Sequence, residues 1–367
     1  MIRLNLDDIK QILFGCALLG TGGGGDLQEG VKMVEEVNAE VNMISLEELN
    51  EGDLVACPYF VGSVSPRDMI EKKKISRKIT SPVLESLNIL EEFMGKKISG
   101  VFPTELGGGN TAVAFQVAAM KNIPVVNADP VGRAVPEVQH TTFFLYDIPM
   151  TPFSLCNEFG DKIIVPEISC DEQAEEIIRS VAVASENRIG VTSHPLDAKI
   201  LKKSIVANTL SKAWKIAKVR EAALIKGEDP VAAVAKSAGG YVLFKGVALK
   251  DANWRDEDGF TVGDMYIEGV EKYKGRIMKI WFKNENLISW IDDIPYVTSP
   301  DLIILVHSED ASPVLNPHLK RKDKVSVIGI PSEPVWRSPR AIEILGPRHF
   351  GFDIDFIPVE RRIKSAI

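Results

Sequence analysis

Cysteine is scarce. Four residues, Cys16, Cys57, Cys156 and Cys170, stand in a chain of 367 with no CxxC pair among them. That spacing excludes a disulfide framework and fits a reducing compartment. Basic charge is also short: Lys plus Arg total 43 against 51 Asp plus Glu, a net charge of −8. A general nucleic-acid binder needs a dominant basic surface to meet phosphates, so that class is set aside. Long apolar runs are missing. The longest near the start, residues 12–19, falls far short of the ~20 residues of a membrane span. The opening Met1-Ile2-Arg3-Leu4, followed by Asp7 and Asp8, lacks the basic start and apolar stretch of a secretory signal. A cytoplasmic chain with no nucleic-acid and no membrane partner is expected. The five histidines, at 140, 194, 307, 318 and 349, show no HxH or HExxH spacing, so no zinc site is readable. There is no GxSxG elbow and no Walker A motif, since Gly95-Lys96-Lys97 lacks both the upstream glycine and the trailing Ser or Thr.

What is present is ordinary globular material, 45% hydrophobic and 26% charged, and the length predicts two domains. Residues 1–165 read as an α/β domain with a mostly parallel sheet. Helices are predicted over 9–17, 26–37, 82–94 and 110–120, with strands near 41–44, 54–61, 98–102 and 125–127. Residues 166–367 read as a β-rich α+β domain. It opens with a helical segment, including a long amphipathic helix over 205–225, and continues in short strands from residue 241 onward. The tripeptide Asn284-Glu285-Asn286 is predicted as a turn between two of these strands.

Three loops hold the candidate chemistry. The block Gly20-Thr21-Gly22-Gly23-Gly24-Gly25 matches GxGxxG, but a helix rather than a strand precedes it, which argues against a dinucleotide fold. Its backbone amides, with Asp26 capping the next helix, could still approach an anion closely; a plain helix–helix turn is the simpler alternative. The second loop, Pro103-Thr104-Glu105-Leu106-Gly107-Gly108-Gly109-Asn110, leaves the carboxyl end of a strand, where open α/β sheets bind ligands. There Glu105 could exchange a proton and Asn110 could cap the helix. The third loop runs from Asp129 to His140 and carries Asp129, Arg133, Glu137 and Gln139. If Asp129 and Glu137 converge, repulsion raises one pKa and readies it as an acid or a metal ligand; Arg133 could instead pair with either purely structurally. No cofactor can be named. A divalent ion held by Asp129 and Glu137 is compatible with the residues but unreadable from their spacing.

Taken in order, these loops resemble the S-methyl-thiohydantoin desulfurase-like family, whose members are often found beside hydantoinase/oxoprolinase subunits. Further matches are Phe282-Lys283-Asn284-Glu285-Asn286, Ser299-Pro300-Asp301-Leu302-Ile303, and the run Leu345-Gly346-Pro347-Arg348-His349-Phe350-Gly351 with Phe352-Asp353 after it. His140 departs from the family pattern, which is apolar there, and Leu319-Lys320-Arg321-Lys322-Asp323 replaces a glycine-containing stretch. The resemblance implies two domains and work on hydantoin-like cyclic amides or thioamides. The expectation is a hydrolase-like enzyme with Glu105, Asp129 and Glu137 as catalytic candidates. Gly22, Gly23, Gly24, Gly25, Asp26, Thr104, Gly107, Gly108, Gly109, Asn110, Arg133 and Gln139 are the substrate-binding candidates. Amides of Gly22–Gly25 and Gly107–Gly109 would stabilise an oxyanion, Glu105 or Glu137 would activate water, and Arg133 would orient the substrate. A homo-oligomer is expected. The alternatives are a phosphate- or nucleotide-binding regulatory protein, or a non-catalytic subunit docked on a hydantoinase.

Overall fold

The computed structural model describes residues 1–62, 75 and 77–365; residues 366–367 of the second expected domain lie outside these. The first helix, Leu6–Leu19, starts at a capping box. Asn5 accepts from the Asp8 N–H at 2.9 Å, and the Asp8 carboxylate accepts from the Asn5 N–H at 3.1 Å. Such a cap contributes ~1 kcal/mol. Ile9, Ile12, Leu13 and Cys16 form its buried face and join one core with Leu210, Ala213 and Ile216 of the helix Thr209–Lys226. At Gly15 a Cβ would lie 1.9 Å from the Ala213 carbonyl oxygen, so the two helices touch backbone to backbone.

The first sheet runs in the order Ile2–Leu4, Val41–Ile44, Val125–Val126, Gly100–Val101, Leu54–Gly62, Arg188–Asp197, Phe153–Cys156, Lys162–Val165. Its long strand Leu54–Gly62 is buried on both faces with a period of two. Leu54 and Ala56 face the core with the first helix. Val55, Cys57, Tyr59 and Val61 face a second core with Phe102, Phe143, Phe153 and the helix Asp171–Ala184.

The mostly parallel sheet expected from sequence is corrected to a mixed one. Only the pairings from Val41–Ile44 through Leu54–Gly62 are parallel. Ile2–Leu4, Arg188–Asp197 and the hairpin Phe153–Cys156/Lys162–Val165 join antiparallel. A hairpin's tight turn can only return its strand antiparallel, whereas parallel pairing needs a crossover. Because Arg188–Asp197 sits between Leu54–Gly62 and Phe153–Cys156, the two sheets do not divide at residue 165.

The second sheet is antiparallel throughout: Ile294–Thr298, Glu285–Ile291, Ile277–Lys283, Phe260–Gly269, Tyr241–Ala248, Lys324–Ile330, Leu302–His307, with Asn253–Glu257 added on Phe260–Gly269. Alternation again assigns its faces. Leu302 and Ile304 join the helical core shared with the first sheet, while Ile303 and Leu305 close a separate core of this domain. Helices Leu6–Leu19, Thr209–Lys226 and Pro230–Ser237 thus lie between the two sheets.

Three local expectations are revised. The helix predicted over 205–225 begins only at Thr209, because Val206–Ala207 pairs as a short strand with Ala128–Asp129 and Asn208 turns the chain at φ 64°. The helix Ala198–Ser204 and the strands Asn253–Glu257 and Ile294–Thr298 were not foreseen; Asn253–Glu257 is largely solvent-exposed and offers little apolar pattern. Finally, Asn284 alone makes the turn at φ 58°. Lys283 pairs directly with Glu285, so Glu285 and Asn286 belong to the following strand. Among the described residues no helix is long and apolar enough to cross a membrane.

Candidate active site

The two glycine loops lie backbone against backbone. A Cβ on Gly107 would sit 2.3 Å from the Gly24 carbonyl oxygen, one on Gly108 2.6 Å from the Leu27 Cα, and one on Gly109 2.9 Å from the Gly25 Cα. Gly22, Gly24 and Gly25 also adopt φ of 91°, 75° and 83°, a region open chiefly to glycine. The second domain then fixes this first loop. Asn286 donates its N–H to the Thr21 carbonyl at 2.7 Å, and Asn316 donates its N–H to the Gly22 carbonyl at 2.8 Å.

Between these elements lies a cavity of about 180 Å³. Gly22–Gly25, Asp26, Thr104, Glu105, Gly109, Asn110, Glu137, Asn284, Glu285 and Asn316 are among the residues that line it. The three loops, distant in sequence, therefore share one hollow at the carboxyl edge of the parallel strands, closed from above by the second sheet.

Glu105 is 5% exposed. Its carboxylate accepts from Asn110 Nδ2 at 2.8 Å and from the Val135 N–H at 2.8 Å. Asn110 is itself fixed, its Oδ1 accepting from the Phe60 N–H at 3.0 Å. Burial raises the Glu105 pKa to about 7, against the lowering effect of those two hydrogen bonds. Facing the same cavity is Glu285, delivered by the one-residue turn at Asn284. Its Oε1 accepts from the Gly24 N–H at 3.2 Å, and its buried Oε2 has no partner among the described residues. Burial, then the charge of Glu105, pushes Glu285 well above the ordinary carboxyl range. Gly23 makes room for it, since a Cβ there would fall 1.8 Å from Glu285 Oε1.

Glu137 is a different kind of carboxylate. Oε1 accepts from Lys283 Nζ at 2.5 Å and Oε2 from Gln139 Nε2 at 2.7 Å, with His349 Nε2 at 3.0 Å from Oε2 and His140 Nε2 at 3.4 Å. Burial pushes its pKa up, but the His349 hydrogen bond and the charges of His140 and Lys283 outweigh it and hold the group far below the usual range. His140 is fully buried, and that burial lowers its pKa to about 3.

Several sequence-based roles are corrected by this geometry. Arg133 does not face the cavity. It is 1% exposed, and its guanidinium donates to the carbonyls of Ala134, Pro300, Asp301 and Asn286 and to the Thr21 and Ser299 hydroxyls. Its donors are taken up by these partners, four of them in the second domain, so it has none left for a substrate. Asp129 does not converge with Glu137. It lies outside the cavity lining, accepts from the Val131 and Gly132 N–H groups at 2.9 and 2.8 Å, and is raised to about 7 by burial. Gly107, Gly108 and Gln139 also lie outside the lining. The amides proposed for an oxyanion are mostly engaged: Gly107 donates to Thr111 Oγ1, Gly109 and Asn110 to the Gly24 carbonyl, Gly23 to the Gly20 carbonyl, and Gly24 to Glu285. Asn110 is not the helix cap, because the helix Gly108–Lys121 begins before it with Gly107 at the cap position. Asp26 does cap, accepting from the Glu29 N–H at 2.8 Å.

Sequence reasoning did not select Glu285, Lys283, Asn316 or His349 as site residues. Their contacts to the first domain span more than 140 positions, so no local spacing connects them. The usable signal was the left-handed preference of Asn284, which aims the residue after it.

With this geometry in view, comparison with known proteins gives the family. Residues 7–167 match the N-terminal domain of S-Me-THD-like proteins, and residues 169–359 match their C-terminal domain. The chain belongs to the S-Me-THD-like family. The S-methyl-thiohydantoin desulfurase-like resemblance drawn from the loops and this match thus agree. A crystal structure of a protein from Chromobacterium violaceum is similar over 98% of this chain and 100% of that one, with a TM-score of 0.77 at 20% identity; at that identity the likeness is one of fold alone. No curated protein matches.

Proposed function

We propose that the cavity hydrolyses an S-methyl-thiohydantoin-type ring, with hydantoin-like cyclic amides as the wider substrate class. Water adds to the ring carbon that carries sulfur and is doubly bonded to nitrogen. The carbon–sulfur bond then breaks, and the products are the hydantoin carbonyl and methanethiol. The observation that carries this reading is the pair of buried carboxyl groups, Glu105 and Glu285, on one small cavity within a family named for this ring.

Their environments separate their roles. Both Glu105 oxygens accept hydrogen bonds, which favours its ionised form, and a pKa near 7 suits a base at neutral pH. Glu285 has one oxygen unpartnered and a pKa raised by burial, so its protonated form can hand a proton to the departing sulfur or ring nitrogen. Glu137, held ionised by the Lys283 ammonium and by hydrogen bonds from Gln139 and His349, is too weak a base for the step. A phosphate ligand is disfavoured, because it would meet these carboxyl groups where the Gly24 N–H is already taken.

The test is to incubate the protein with S-methyl-thiohydantoins in ¹⁸O-labelled water. The expected result is thiol release with one labelled oxygen in the ring product. Absence of thiol release across a set of ring substituents, with nucleotides alone raising the melting temperature, would return the protein to the binding class.

A further inference from the structure

We propose that Glu137, His140 and His349 bind one divalent first-row transition ion. Glu137 Oε2, His140 Nε2 and His349 Nε2 converge with separations of 3.0 Å (His140 to His349), 3.0 Å (His349 to Glu137) and 3.4 Å (His140 to Glu137). Two imidazoles and a carboxylate are the donor set that suits zinc and iron(II). The circle through three atoms so spaced has a radius of about 1.8 Å, just under the ~2.0–2.1 Å of metal–nitrogen and metal–oxygen bonds. An ion therefore fits slightly out of their plane without moving any ligand.

Hydrogen bonding alone does not account for the triangle. Each imidazole can carry at most one proton on Nε2, and the carboxylate carries none. If both rings are protonated there, two N–H groups meet head-on across 3.0 Å; if one is, its single proton faces two acceptors. No arrangement supplies a donor and an acceptor to all three contacts, whereas a cation uses all three lone pairs at once.

The surroundings orient the carboxylate and pack the two rings, while His140 Nδ1 is buried with no hydrogen-bond partner among the described residues. Gln139 Nε2 donates to Oε2 and Lys283 binds the other oxygen, Oε1, which together fix the carboxylate's orientation. The rings of His140 and His349 pack edge to face with centroids 4.7 Å apart, and both pack on Phe350. His140 is fully buried, while His349 is partly open and gives the ion a path from solvent. Three protein ligands leave a further position open, the pattern of zinc sites that bind water or substrate. Glu137 is also a wall residue of the cavity holding Glu105 and Glu285.

This goes beyond the hydrolytic reading and is tested without turnover. Full-length protein stripped with a chelator is titrated with Zn²⁺ by calorimetry, and with Co²⁺ while its visible d–d absorption is followed. One equivalent is expected, with the spectrum of nitrogen and oxygen ligation. His349→Ala, at a partly exposed position, and Glu137→Gln should each weaken binding by more than the ~10–100-fold that outer-shell changes cost. His307→Gln should leave it unchanged. Circular dichroism and melting curves verify that each variant is folded. No uptake by the wild-type protein, or equal affinity in His349→Ala and Glu137→Gln, would overturn the site and leave the Glu105–Glu285 reading untouched.

Discussion

Two carboxylate settings on one cavity wall differ in what surrounds them. Glu105 and Glu285 sit among glycine backbone and amide groups, and burial outweighs both their hydrogen bonds and the Arg133 charge, so their pKa values rise. Glu137 is nearly as buried, yet the Lys283 ammonium pairs with it, Gln139 and His349 hydrogen-bond to it, and its pKa falls. The same side chain is shifted up in one place and held as an anion in the other. Burial alone therefore does not set the direction of a carboxyl's shift; the hydrogen bonds and charges that reach it decide whether burial wins.

The largest effect expected from this contrast is catalytic. Glu105→Gln should lower kcat for thiol release by ~10²–10⁴-fold, the usual contribution of a positioned base, with its fold checked by circular dichroism. Full turnover in the folded variant would remove Glu105 from the chemistry. Next comes the scaffold that brings the two settings together. Arg133→Met should destabilise the protein by ~3–5 kcal/mol in denaturant titration, because several buried carbonyls lose their donor at once. A loss below ~1 kcal/mol would show that Arg133 is not the hub its hydrogen bonds describe. Gly107→Ala should cost ~1–3 kcal/mol by forcing the two glycine loops apart, and an unchanged melting temperature would mean that the loops have slack.

A smaller effect sharpens the comparison through pH. The folded pKa of Glu105, about 7, lies above its ordinary value of 4.5. Between those values the folded state holds a proton that the unfolded chain has released, so wild-type stability falls as pH rises through this window. Glu105→Gln lacks that titration. The stability of wild type relative to the variant should therefore fall from pH 4.5 toward pH 7, as measured by urea midpoints; a constant difference would contradict the raised pKa. Glu137 has the opposite sign. Its lowered pKa contributes stability that is present above the ordinary carboxyl value and lost as pH falls through the folded value.

Much of the first domain was legible in the sequence because its signals are local. Apolar spacing marked the helix Leu6–Leu19, a proline in its first turn marked Pro82–Met94, Asp26 marked a helix start, and the strand before Thr104 and Glu105 placed that loop at the sheet's edge. What stayed hidden depends on distance along the chain. Glycine runs read as open anion cradles, but their amides are used where Gly24 meets Gly109 and Asn110. Arg133 read as a substrate clamp because its partners, around Asn286 and residues 299–301, are contributed by the other domain. The parallel sheet was overestimated because the strand Arg188–Asp197 enters it from beyond a helix. Glu285 reaches the cavity through one left-handed asparagine, and a turn prediction alone does not say what the turn faces.

The pairing of Glu105 with Glu285 is tested most directly by a double-mutant cycle on thiol release. Glu105→Gln, Glu285→Gln and the double variant are compared for kcat/KM on the same S-methyl-thiohydantoin. If the two carboxyl groups work as one proton-transfer unit, each single change removes most of the activity and the double change removes little more. Multiplicative losses, with each substitution acting as though the other residue were intact, would contradict the account.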